Sequence, residues 1–402
     1  MYSGNQTQCY LKWVLTSLCW IILCATVSIV TVACTTPRRV IQNESLDDWD
    51  GRRMRYKNLF PPRYSLGETT AYDRIDYLKP HERKSYKYRL LADPRGGDID
   101  RTLGYDPSAF TVQPNFDRLQ SPTHNVQITW IRHASFLIQL GGHYQILIDP
   151  VLDQWDGLVG KLSKYTAIEA PNAKSPLTVE DLAYVFNSGN PEEKATAIVA
   201  ISHDHLDHLN FRTLEKLPDI TRFYVPHGVE NNFSSRYLNV TGMDWYTQDT
   251  TGDLTINFLP ANHGSGIYSN EVNKKLWGGW LIDWKGYRIY FAGDTGYSDL
   301  FNDIRQRYGE MDVCMMPIAA WYWRQRHFAP EDAVQAAEDL SCKVFIPWGW
   351  GTWIMSYEHM LEPPRRLQYA FDQMQPANME LRILKMGETY FLDSSDTAKD
   401  TK

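Results

Sequence analysis

A chain of 402 residues can bury a large core, as one big domain or two. With 43% hydrophobic and 22% charged residues and 14 Trp, its composition is that of a globular protein. The net charge of −7 gives no reason to expect nucleic acid as a partner.

The N-terminus is a different material. Lys12 is the only charged residue before Pro37, and the run 13–33 is rich in Leu, Ile, Val, Cys and Trp. That is long enough to span a bilayer and somewhat long for a cleaved signal. The run ends Thr31-Val32-Ala33-Cys34, small residues before a cysteine, as at a bacterial lipoprotein cleavage site. Cys34 is therefore expected to be the lipidated first residue of the mature protein, with an uncleaved anchor helix as the alternative. Either way the body is tethered to a membrane, and a bacterial cell envelope lipoprotein is the expected localisation.

Residues 34–125 are polar and rich in Arg, Asp, Tyr and Pro, which predicts a tether followed by an irregular extension wrapped on the body. From Val126 the texture changes. Val126–Ile131, Ser135–Leu140 and Gln145–Asp149 read as a strand meander with a Gly141-Gly142 turn. Ala197–Ile201 reads as a short buried strand, and later strands are expected at 222–225, 254–259, 277–283, 287–292, 313–318 and 344–347. Helices are expected at 211–217, 300–308 and 331–340, the last opened by Pro330 and acidic residues. No internal repeat is visible. The pattern predicts an α+β fold, two packed sheets flanked by helices, over residues 126–395. Cys314 and Cys342 lie in apolar surroundings and read as core residues; a pairing between them is left open.

Chemistry concentrates after the strand at 197–201. Ser202-His203-Asp204-His205-Leu206-Asp207-His208 packs four metal-ligand side chains into one turn, in a chain with only 11 His. Imidazole and carboxylate donors together suit zinc, one or two ions per chain, or another first-row divalent ion. Two later strand ends add His263, in Pro260-Ala261-Asn262-His263-Gly264, and Asp294, in Ala292-Gly293-Asp294-Thr295-Gly296.

This set resembles the metallo-β-lactamase superfamily, which implies an αββα sandwich with a metal centre at one edge. The resemblance implies His203, His205 and His263 round one metal, Asp207 and His208 on a second, and Asp294 bridging both. Asp207 and Asp294 are then the catalytic carboxylates. A closer resemblance covers about 127–364 and more than half the chain. Ile131-Arg132-His133-Ala134-Ser135, Leu276-Trp277-Gly278-Gly279-Trp280, His327-Phe328-Ala329-Pro330-Glu331 and Leu361-Glu362-Pro363-Pro364 look like the N-acylphosphatidylethanolamine-hydrolysing phospholipase D family. That family implies hydrolysis of a lipid phosphodiester to phosphatidic acid by a metal-activated water, with His327 touching the substrate phosphate. His133, just past a strand, is read as orienting a metal ligand through a hydrogen bond, with a structural turn histidine as the alternative. A homodimer is carried only as a prior from related enzymes.

The sequence also departs from the family. The last ligand of the second metal stands there in Ile-His-Trp-Gly-Thr, whereas Phe345-Ile346-Pro347-Trp348-Gly349-Trp350-Gly351-Thr352 contains no His. A three-ligand second site, a single-metal enzyme, and substitution by His359 all stay open. Trp321 to Arg326 offers aromatics and arginines that could grip a lipid headgroup, against the plainer reading of a core edge with solvated Arg. Trp348, Trp350 and Trp353 read as an acyl groove or simply as core. Hydrolysis of a small ester or lactone, and a metal-binding surface protein with impaired activity, are the competing functions.

Overall fold

The computed structural model describes residues 56, 58–60 and 106–392, apart from 154, 156–173, 188–194, 219–221, 267–270, 354 and 357. The apolar run 13–33, Cys34 and most of the expected extension lie outside the described residues. Among the described residues no helix is long and apolar enough to cross a membrane.

Two seven-stranded sheets pack face to face. The first takes β1 (Val126–Arg132), β2 (Ser135–Leu140), β3 (Tyr144–Ile148), β4 (Thr196–Ala200), β5 (Arg222–Pro226) and β6 (Val240–Met243). The second takes β7 (Thr247–Thr251), β8 (Leu254–Pro260), β9 (Gly278–Trp284), β10 (Tyr287–Phe291), β11 (Val313–Pro317), β12 (Val344–Trp348) and β13 (Glu380–Leu381). The last strand, β14 (Thr389–Leu392), returns to the first sheet and pairs antiparallel with β1. Strands β1 to β4 are buried along nearly their whole length, Gln127, Thr129, Gln139 and Gln145 included, because both faces are covered: one by the other sheet, the other by helices.

The two sheets follow one plan. In the first, β1–β2–β3 is antiparallel and β3–β4–β5–β6 parallel. In the second, β8–β9–β10 is antiparallel and β10–β11–β12–β13 parallel. The sequence shows no repeat, yet β1 and β8, or β3 and β10, hold equivalent places.

The helices lie outside this sandwich: α1 (Phe116–Gln120), α2 (Val179–Asn187), α3 (Phe211–Leu214), α4 (Leu300–Tyr308), α5 (Pro330–Asp339) and α6 (Glu362–Met374). Leu182, Val185, Phe186 and Leu214 seal the outer face of the first sheet against Leu137, Leu147 and Val199. The expected helix over 211–217 stops at Leu214. Helix α6 is absent from the expectations because Pro363-Pro364 reads as a breaker; both prolines sit in its first turn, where no N–H partner is required. Strand β7, Thr-Gln-Asp-Thr-Thr, lacks alternation because it is a polar edge. Cys314 and Cys342 are both buried, and the structure joins them in a disulfide, closing the pairing that sequence left open.

Candidate metal centre

The turn between β4 and α3 is held from within. Ser202 donates from its N–H and its hydroxyl to Asp149, at 2.6 and 2.5 Å. The amides of His208 and Leu209 both donate to the carbonyl of His205, folding the loop so that its histidines converge. Asn210 ends it by capping α3, accepting from Thr213 N at 2.8 Å.

His203 Nε2 lies 2.9 Å from His205 Nδ1, which lies 3.2 Å from His263 Nε2. His263 Nδ1 donates to the carbonyl of Arg326 at 3.1 Å, so its Nε2 is left as a bare lone pair. Three ring nitrogens this close cannot all turn lone pairs toward one another without a proton or a cation between them. Burial, reinforced by neighbouring imidazoles, holds His203 well below the usual histidine range. His263 is likewise held well below it, mainly by burial, and burial lowers His205 as well. At neutral pH these rings are uncharged donors.

A second group forms beside it. His208 Nδ1 contacts Asp149 Oδ2 at 2.7 Å, which aims Nε2 at Asp207 Oδ2, 3.5 Å away, and Asp294 Oδ2, 3.4 Å away. That Nε2 is buried without a hydrogen-bond partner among the described residues. Burial opposes a charge on His208, but Asp294, Asp207 and Asp149 outweigh it and hold its pKa well above the usual value. Burial would also raise Asp207 and Asp294, yet His208, with His133 and His327 respectively, holds both carboxylates well below their ordinary range. His133 Nε2 meets Asp207 Oδ2 at 3.1 Å.

Asp294 joins the two groups. Its Oδ2 faces His208 Nε2 on one side, and His263 and His203 Nε2 on the other at 3.7 and 3.9 Å. The turn that carries it needs Gly293: φ is +61°, and a Cβ there would lie 2.3 Å from the Gly278 carbonyl. His327 Nδ1 approaches the same Oδ2 at 3.8 Å from the rim, with its side chain 13% exposed. The bare nitrogens, the low-pKa carboxylates and the unpartnered His208 Nε2 make a donor set that fits one or two divalent ions.

Not every sequence expectation lands here. His359 Nδ1 accepts from Leu361 N at 3.1 Å and belongs to no ligand group, so it does not replace the missing histidine. Arg324 is no headgroup clamp: Asp332 holds it bidentately at 2.6 and 2.7 Å. Trp348 and Trp350 are buried core, Trp348 stacked on Phe291 beneath the site. Three residues escaped the sequence reading. Asp149 and Ser202 steady the ligands, and the only signal was an Asp-Pro ending an apolar strand. Asn58 accepts from His263 N at 3.0 Å and from Trp277 Nε1 at 3.1 Å, across some 200 residues of chain that no local pattern bridges.

The family profile described as the Beta-lactamase superfamily domain matches residues 144–350, more than half of the chain. The chain belongs to the beta-lactamase superfamily. An uncharacterized protein of Mycobacterium bovis is 31% identical over 266 residues, 64% of this chain. That match spans 66% of the relative's own length, just under two thirds. N-acyl-phosphatidylethanolamine-hydrolyzing phospholipase D 1 of Caenorhabditis elegans is 27% identical over 61% of this chain and 69% of its own. Among solved structures, the metallo hydrolase Igni18 of Ignicoccus hospitalis superposes with a TM-score of 0.50 at 21% identity, covering 67% of this chain and 98% of its own. At that identity it shares the superfamily fold and nothing finer.

Proposed function

We propose that this chain is a metal-dependent hydrolase cleaving the phosphodiester of N-acylphosphatidylethanolamine-like lipids, to give phosphatidic acid and an N-acylethanolamine. The observation that carries this reading is the sharing of Asp294 Oδ2 between two ligand groups, with His327 at the open rim. The similarity to the Caenorhabditis elegans phospholipase D supports the choice of phosphodiester over carboxylic ester.

His203, His205 and His263 would hold one ion, zinc by their donor chemistry, and His208, with Asp207 and Asp294 at 3.5 and 3.4 Å from its Nε2, would hold a second. Ions bound there supply an acidified water and a positive clamp for phosphoryl oxygens. The protein's own contribution is to keep the donors aimed and the three rings of the first group unprotonated. Asp149 and the Arg326 carbonyl fix which nitrogen of His208 and His263 faces inward. Burial lowers the pKa of His327, so this ring meets a phosphoryl oxygen as a neutral N–H donor. In the balanced reaction the water oxygen ends on phosphorus, and a proton ends on the hydroxyl of the departing N-acylethanolamine.

A membrane-tethered body, held by Cys34 or the run 13–33, would bring this cleft to its lipid. The disulfide between Cys314 and Cys342 supports an oxidising compartment for the body. The test uses the full chain, offered vesicles of N-acylphosphatidylethanolamine and, separately, small lactones. Release of phosphatidic acid, lost in Asp294→Asn, is expected. Turnover of lactone alone would move the substrate to the small-ester class. Metal binding with no turnover of either would leave a metal-binding surface protein.

A further inference from the structure

In the phospholipase D resemblance the second metal's last histidine stands directly before Trp-Gly-Thr. Here the residue directly before Trp350-Gly351-Thr352 is Gly349, with φ of +90°. The loop nevertheless docks on a histidine. Gly349 N donates to the His133 carbonyl at 3.3 Å, and His133 N donates to Thr352 Oγ1 at 3.2 Å. Trp130 Nε1 donates to the same carbonyl at 2.9 Å. These bonds hold His133 at φ +45°, a left-handed conformation that costs free energy in a residue with a Cβ. The surroundings therefore over-determine where this imidazole points.

We propose that His133 Nε2 is a protein ligand of the second divalent ion, beside Asp207, His208 and Asp294. It takes the part of the histidine missing before Trp350. This rests on the metal-binding reading given above and goes beyond the orienting role expected from sequence. Three observations carry it.

The first is which oxygen it touches. A ring lying against the carboxylate oxygen that a metal would take is itself within reach of that ion. His133 Nε2 lies 3.1 Å from Asp207 Oδ2, the same oxygen that faces His208 Nε2 at 3.5 Å. The ligand atoms of His133, Asp207 and His208 thus lie within 4.8 Å of one another.

The second is topology. Strands β1 and β8 hold equivalent places in the two sheets, and each delivers a histidine just past its end: His263 after β8 to the first group, His133 after β1 to the second. Asp149 and Asp294, likewise, follow the equivalent strands β3 and β10.

The third is the far nitrogen. His133 Nδ1 is buried without a hydrogen-bond partner among the described residues, and its ring stands at 67° to Trp353 with centroids 4.5 Å apart. An N–H meeting an aromatic face suits that setting, and it leaves Nε2 as the lone pair for a cation.

The deciding measurement is a crystal structure of the wild-type chain loaded with zinc, with anomalous data at the zinc edge. It is paired with equilibrium dialysis of His133→Ala and His133→Gln. Nε2 at about 2.1 Å from the second zinc is expected. The variants should keep the first zinc, which also shows that they fold. Their affinity for the second should fall by more than the roughly 10–100-fold typical of losing an outer hydrogen-bonding partner. Two zinc ions with Nε2 outside coordinating distance of the second, hydrogen-bonded only to Asp207, would overturn the inference and leave the hydrolase reading intact. A single zinc on His203, His205 and His263 at saturation would also overturn it. No zinc in the wild-type chain would remove the metal-binding reading itself. If neither variant folds, the wild-type distance decides alone.

Discussion

Asp149 shows how much of the centre depends on residues that touch no metal. It accepts from Ser202 N, Ser202 Oγ and His208 Nδ1, and a buried amide in its place can accept through one atom only. Asp149→Asn is expected to weaken the second ion roughly 10–100-fold while sparing the first, read by competition with a chelator. An unchanged affinity would mean that packing alone aims His208. Glu358 gives a prediction in pH. Burial, with Glu362 alongside, pushes its carboxyl up to about 6 from the ordinary 4.5. The folded state then binds this proton more tightly than the unfolded state. Its contribution to stability is present below about 4.5 and is lost as pH rises through 6, a difference of about 2 kcal/mol. Glu358→Gln keeps an oxygen for Ala320 N and should be about 2 kcal/mol more stable than the parent at pH 7, yet equal to it at pH 4. Urea midpoints at the two pH values check this, and parallel curves would contradict it.

At the level of elements, the ligands are placed by close backbone approaches between strands. Gly278 N donates to the Ser202 carbonyl, tying the start of β9 to the metal loop after β4. Gly293→Ala would have to adopt φ +61° with its Cβ against the Gly278 carbonyl. A loss of several kcal/mol and of the bound metal is expected, checked by denaturant unfolding and elemental analysis. The segment at 58–60 acts as a further element. Phe60 packs on the core and Asn58 holds the His263 amide. Asn58→Ala leaves that buried N–H without its acceptor, at a cost of about 1–3 kcal/mol. A lowered unfolding midpoint and weaker binding of the first ion are expected; neither change would mean that water replaces the side chain. The strands flanking these points were legible because they are rich in β-branched and aromatic residues bounded by turn residues. Strands β7 and β13 and helix α6 were not, since a polar edge, a two-residue strand and a Pro-Pro start lack the periodicity that marks an element.

Across the whole molecule, two sheets of one plan bring loops from both halves to a common edge, and the C-terminal strand β14 closes the first sheet against β1. The disulfide closes a loop of 28 residues between β11 and the start of β12, within the second half. Replacing both cysteines by Ala should cost about 3 kcal/mol, read as a lower urea midpoint than the oxidised parent. Equal midpoints would show that the bridge adds no stability beyond what two buried alanines supply. Sequence by itself determined the sandwich and the three strand ends that carry candidate metal ligands, because strand burial and the His-x-His-x-Asp-His turn are local patterns. It also determined that one expected histidine is missing. Only the tertiary structure decided that His359 stands apart, that Arg324 is locked to Asp332, and that His133 reaches Asp207. Those outcomes depend on which strand ends meet across the sheets, and a contact between residues 133 and 207 leaves no trace in the spacing of either.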